Sequence, residues 1–213
     1  MRTLDLIRFA ADILDRKAGT VSDRVTALQD NGLISKGTRG RFGGADMIES
    51  DGVNAILAVV LDHPRGACVA ASVARIRALP LTDARYSPLA EVPVVDQMRS
   101  AFQFVRGLSI RPVTTLGETL DGLVGDMRSG AFDAWAAGAV PDMVIDFNDG
   151  RNAVLIIDRW QSNNSAVFVF DDGTPGKAAC TERIVRIRRP AFQGLANALG
   201  PLPPESAIPP PPY

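Results

Sequence analysis

Residues 11–47 constrain the chain most, because apolar spacing, capping chemistry and turn chemistry agree there. Ile13 and Leu14 close a first helix, Val21, Val25 and Leu28 repeat at i, i+4, i+7 on a second, and Leu33 with Ile34 carry the apolar pattern into an extended segment. Thr20 reads as the N-cap of the second helix, residues 20–31, and Asn31-Gly32 as its stop. A glycine-rich basic hairpin follows, Lys36-Gly37-Thr38-Arg39-Gly40-Arg41-Phe42-Gly43-Gly44. With Val21, Val25 and Leu28 turned inward, Thr20, Ser22, Asp23, Arg24, Thr26 and Gln29 form the outward set.

These residues resemble the winged helix-turn-helix DNA-binding regulators. The resemblance rests on Ala11 to Leu14, the turn ending at Thr20-Val21-Ser22, Arg24-Val25, Leu28 and Gly32-Leu33-Ile34, with 36–44 in the place of the wing. It covers residues 5–65, less than a third of the chain. A winged helix ordinarily has a full helix ahead of the pair, and few residues stand there, so either the first two helices are fused or one comes from later sequence. The "GLI…GRGR" run is also similar to uncharacterised proteobacterial prophage proteins.

The resemblance implies a recognition helix in the major groove, and the chemistry of the residues suits that role. Arg24 can take a guanine bidentately, and Ser22 and Thr26 can serve bases or phosphates beside Thr20 and Gln29. Arg39-Gly40-Arg41 sets two guanidinium groups beside a residue without a side chain, which lets backbone lie close to a narrow minor groove. That triplet resembles the core of an AT-hook, without its flanking prolines. Lys36 adds a phosphate contact. The bland reading is a basic β-turn on a small domain.

Any such footprint must be local, because 23 basic residues are balanced by 24 acidic ones and the formal charge is −1. Between Arg16 and Arg41 there are six basic and two acidic residues, the asymmetry an electrostatic footprint needs. Cys68 and Cys180 are too few for a disulfide framework or a zinc site. No apolar signal segment opens the sequence, and no apolar run suits a membrane span. The expectation is a cytoplasmic protein without membrane contact.

Past the hairpin, Val53, Ile56, Leu57, Val60 and Leu61 form the strongest helical period, starting at Ser50 or Asp51 and ending before His63-Pro64. The entry helix is read over 1–17 with Leu4, Ile7, Ala11 and Leu14 on one face, and a further helix over 67–78. Pro80, Pro88 and Pro93 mark 80–93 as a linker or an extended crossing segment and place the domain boundary there. Beyond it, 95–108 is helical, and Thr115 with Glu118 makes a capping box before a helix carrying Leu116, Leu120, Leu123, Val124 and Met127. That face reads as core, with dimerisation as the alternative. Strands at 143–147, 153–160, 166–170 and 181–188 are separated by turn chemistry and predict a four-stranded antiparallel meander. A closing helix spans 192–199, and a proline-rich tail, extended and poorly ordered, spans 201–213. The fold expected is therefore α+β: a winged helix with extra helices over 1–79, a linker over 80–93 and an α+β domain over 94–200.

Catalytic constellations are sparse. His63 is the sole histidine, and no Gly-x-Ser-x-Gly turn or phosphate loop is present. Pro141-Asp142 with Asp158 resembles the PD-(D/E)-x-K nucleases, but Trp160 holds the lysine position and Arg159 points to the opposite strand face. The expectation is a protein that is not an enzyme and needs neither cofactor nor metal. Its expected role is a double-stranded-DNA-binding transcriptional regulator acting as a homodimer, with a protein partner possible at the C-terminal domain or the tail. The alternatives are a phage-type DNA-recognition or assembly subunit in packaging or replication, and a winged module that binds protein alone.

Overall fold

The computed structural model describes residues 1–36, 46–61, 67–87, 94–148, 151–160, 164–173 and 184–201. The expected basic hairpin at 37–45, His63-Pro64 and the tail from 202 therefore lie outside the described residues. Helices α1 (Thr3–Ile13), α2 (Ala18–Asp30), α3 (Glu49–Val60) and α4 (Ala67–Arg77) come first. Strand β1 (Leu81–Ser87) follows, then α5 (Val94–Phe104), α6 (Leu116–Ser129) and α7 (Ala131–Ala136). Strands β2 (Val140–Asn148), β3 (Asn152–Trp160), β4 (Asn164–Asp171) and β5 (Ile184–Arg188) then lead into α8 (Arg189–Leu199).

The helix starts differ from the sequence reading. Asp15 adopts a left-handed φ of 48° and reverses the chain, so α2 begins at Ala18 with Lys17 as N-cap and Thr20 already inside the helix. Thr20 is thus not the cap. In α1 the inward set is Leu6, Ile7, Ala10 and Ala11, while Leu4 is 68% exposed and Ile13 39%. Asn31 does end α2, and Gly32 supplies the left-handed φ of 72° that the stop requires. The capping box of α6 also forms: Glu118 N donates to Thr115 Oγ1 at 3.3 Å, and Thr115 N to Glu118 Oε2 at 2.8 Å.

α3 is the hub. Every residue from Asp51 to Val59 is buried, because α1, α2, α4, α6 and α8 all pack on this helix. Gly52 makes the approach of α8 possible, since a Cβ there would collide with the Leu195 side chain. Hence the apolar period marks a helix enclosed on most sides.

The sheet has five antiparallel strands in the order β1-β4-β3-β2-β5. Two expectations are corrected here. Residues 81–87, read as a linker or an extended crossing segment, form an edge strand with Ala84 opposite Phe168; the ladder with β4 gives its backbone the hydrogen-bond partners that a free linker lacks, and Ala84 is the one buried residue of the strand. The last strand does not extend a meander beyond β4 but returns to β2, pairing Ile187 with Ile145, which places both apolar residues on the covered face.

That covered, inner face carries Met143, Ile145, Phe147, Leu155, Ile157, Phe168 and Phe170, all buried. α5 meets it through Phe102, whose ring is 5.6 Å from that of Phe168. Trp135 of α7 packs edge-on to Phe104 at 5.2 Å and donates from Nε1 to the Phe104 carbonyl at 2.8 Å. The N-terminal helices share this core: one cluster of buried residues runs from Leu6 to Leu199. Arg77 of α4 grips Asp121 of α6 through two hydrogen bonds, and Arg128 of α6 pairs with Glu49 of α3 while donating to the Gly200 carbonyl. The apolar face of α6 is consumed here, with Leu116, Leu120, Leu123, Val124 and Met127 all buried within the chain.

Candidate nucleic-acid interface

Leu6, Ile7, Ala10 and Ala11 of α1 and Val21, Val25 and Leu28 of α2 turn inward as α1, α2 and α3 pack on one another. The chain leaves α2 at Gly32, buries Ile34 and departs at Ser35 and Lys36; it returns at Asp46, and Met47 is again buried. Both ends are tied to the same residue. The carboxylate of Asp51, 3% exposed, accepts from Ser35 N at 2.9 Å and from Ile48 N at 3.1 Å. Met47 N adds a bond to the Met1 carbonyl at 3.1 Å, and the Asn54 side-chain amide donates to the Leu33 carbonyl. Residues 36–47 therefore leave and rejoin the three-helix unit at one fixed place.

Asp51 was legible in the sequence only as a helix start. Its position at the third residue of α3 lets it reach back to the N-cap N–H, a common acid placement. The second bond, to Ser35, depends on tertiary approach.

The outward set of α2 divides in three. Thr20 and Thr26 are exposed and Ser22 is half-buried. Arg24 instead turns to the C-terminal end of α3, where its Nη1 donates to the carbonyls of Ala58 and Val59. Those carbonyls lack intrahelical partners and carry the negative end of the helix dipole, which makes them natural acceptors for a guanidinium. Gln29 turns inward as well, donating from Nε2 to the Ser35 carbonyl at 3.2 Å. Neither side chain is disposed as a base reader. The charges left exposed along α2 are acidic, Asp23 and Asp30, and Asp30 pairs with Lys36 at 3.1 Å. Arg39, Gly40 and Arg41 fall outside the described residues.

The other charged sets are mostly internally engaged. Arg186 of β5 is held by both carboxylate oxygens of Asp146, at 2.7 and 2.6 Å. Arg189 donates to the Pro141 carbonyl at 2.7 Å and to Asp133 at 2.8 Å. Asp142 and Asp158 stand opposite each other on β2 and β3. Burial, then the Asp142 charge, pushes the Asp158 carboxyl above its ordinary range. Arg159 lies on the other face, its guanidinium 4.3 Å above the Trp135 ring. Among the described residues, no three His, Cys, Asp or Glu side chains gather as a metal site, and no helix is long and apolar enough to cross a membrane.

No protein-family model, no curated protein and no solved structure matches this chain.

Proposed function

We propose that the chain is a double-stranded-DNA-binding protein of the regulator type, with the Lys36, Arg39, Gly40 and Arg41 segment as its main contact. The observation that carries this reading is the Asp51 anchor, which fixes both ends of the segment holding those cations. A tethered loop loses less conformational freedom on binding than a free one, so its charges act with less entropic cost. Thr20, Ser22 and Thr26 lie on the part of α2 left open and supply neutral contacts to phosphate or base. Arg24 and Gln29 belong to the scaffold in this reading. Base selection then falls on the loop, through the width and potential of the minor groove.

The test is selection from a random duplex pool at stated near-physiological salt, followed by salt titration of the enriched site. Replacing Arg39 and Arg41 together by Ala should lower affinity for every duplex and reduce the salt slope by about 2, as expected for two lost phosphate-side cations. Arg24→Ala should leave base preference unchanged and register in stability. No retention of any duplex overturns the reading. Retention without enrichment favours the second reading, a DNA-handling or phage-type assembly subunit, which the acidic Asp23 on the open side of α2 supports as a docking point for a basic protein.

A further inference from the structure

The strand pairing settles what the sheet presents on the side away from the helices. Side chains alternate, so the residues between those of the inner face line an outer one. Two rows of this outer face run across the strands in register. One is Arg85, Val167, Ile156, Val144 and Arg188, and the other is Asp83, Val169, Val154, Asp146 and Arg186. Beyond the first row lie Ser165, Asp158 and Asp142, and beyond the second Asp171 and Asn152. The centre is thus five β-branched residues, Val144, Val154, Ile156, Val167 and Val169. All five are only half-buried, and none belongs to the core cluster or to the residues packed against it. An apolar centre within a polar rim is the anatomy of an interface.

We propose that a second copy of this chain covers that face, related by a two-fold axis that crosses the strands between the two rows. The charge pattern selects both the occupant and the direction of the axis. About this axis the Asp83–Arg85 pair, already joined within each chain at 2.7 Å, meets the partner copy's pair head to tail so that the four charges alternate. Val154 meets Ile156, Val167 meets Val169, and Asp146, held by Arg186, lies over Val144. Asp158 falls over the amide of Asn152, and Ser165 over Asp171. The one like-charged encounter, Arg186 with Arg188, is offset because Asp146 already holds Arg186. An axis along β3 instead would set Arg85 against Arg188 and Asp158 against itself. The face is roughly 24 Å on a side from strand spacing and rise, of the order of the ~800 Å² that a standard interface takes from each partner. This inference stands apart from the DNA-binding reading.

Sedimentation of the full chain over a concentration series tests it, with circular dichroism reporting the fold of each variant. The chain should sediment as a dimer, and Ile156→Glu should weaken association by about 100-fold or more, as for a charge placed at a desolvated centre. Asp83→Arg combined with Arg85→Asp keeps the pair within the chain but reverses it, so this variant should dimerise with itself and pair poorly with the wild type when the two are mixed. Met98→Glu, on an exposed part of α5, should leave association unchanged. A monomeric chain overturns the proposal, as does a reversed-pair variant that mixes freely with the wild type. A monomer whose outer face is protected from hydrogen exchange points to the chain's own segments or another protein as the cover, and equally overturns it.

Discussion

Two carboxylates show how differently burial acts on the same group. Asp51 is enclosed but accepts two backbone N–H groups, and hydrogen bonds to a charged group each contribute about 1.5–3 kcal/mol. Asp51→Ala should therefore lower stability by about 2–4 kcal/mol in urea unfolding, and should reduce DNA affinity because the loop ends come loose. Asp51→Asn, which keeps one carbonyl oxygen, should lose less of both. Asp158 lacks such partners at one oxygen: its Oδ1 is buried without a hydrogen bond, and burial, then the Asp142 charge, raises its carboxyl. The folded chain then holds the proton more tightly than the unfolded one, so stability falls as pH rises from the ordinary value of 3.8 through the raised folded value. Asp158→Asn should match the wild type below that window and exceed it at neutral pH, which unfolding curves at the two pH values would show.

The elements hang on α3. A helix enclosed by five others depends on small residues wherever a neighbour comes close, and Gly52 under Leu195 is the tightest such place on α3. Gly52→Ala should cost about 1–3 kcal/mol by overpacking, exceeding the propensity gain of about 1 kcal/mol from removing a helical glycine. A compensating Leu195→Ala should recover part of that loss, a coupling measurable by a double-mutant cycle. The sheet depends on another kind of closure. β5 returns to β2, so the edge strands are β1 and β5, and the arginines of β5 leave that edge charged.

At the scale of the whole molecule, the helix-covered and open sides of the sheet set the geometry of any assembly. The three-helix unit reaches the sheet side through α8, where Gly194 lies against Phe9 and Ile13 of α1, so it stands on the covered side. A dimer closed through the open face carries its two helix units on opposite sides. Half-sites about one turn, ~34–36 Å, apart on one duplex suit adjacent recognition units; the back-to-back arrangement suits two duplexes. A dimer of this kind should retain a free duplex on beads carrying a second one, and Ile156→Glu should abolish that bridging while single-duplex binding persists.

Local chemistry was readable from the chain alone. The Thr115–Glu118 box, the Asn31-Gly32 stop and the alternation of the strands at 143–147, 153–160 and 166–170 involve neighbours a few residues apart, where sequence spacing is spatial spacing. The α+β class followed from those periods. Tertiary structure alone decided the rest, because it rests on groups far apart in sequence. Arg24 finds the carbonyls of α3 thirty-four and thirty-five residues away, and no local pattern distinguishes it from an arginine that faces solvent. Residues 81–87 become a strand only because β4 offers its free edge, and Asp51 becomes an anchor only when Ser35 is brought to it. The same holds for the sheet's outer face: alternation foretold two faces, and only the packing of the helices determined which one the described helices cover.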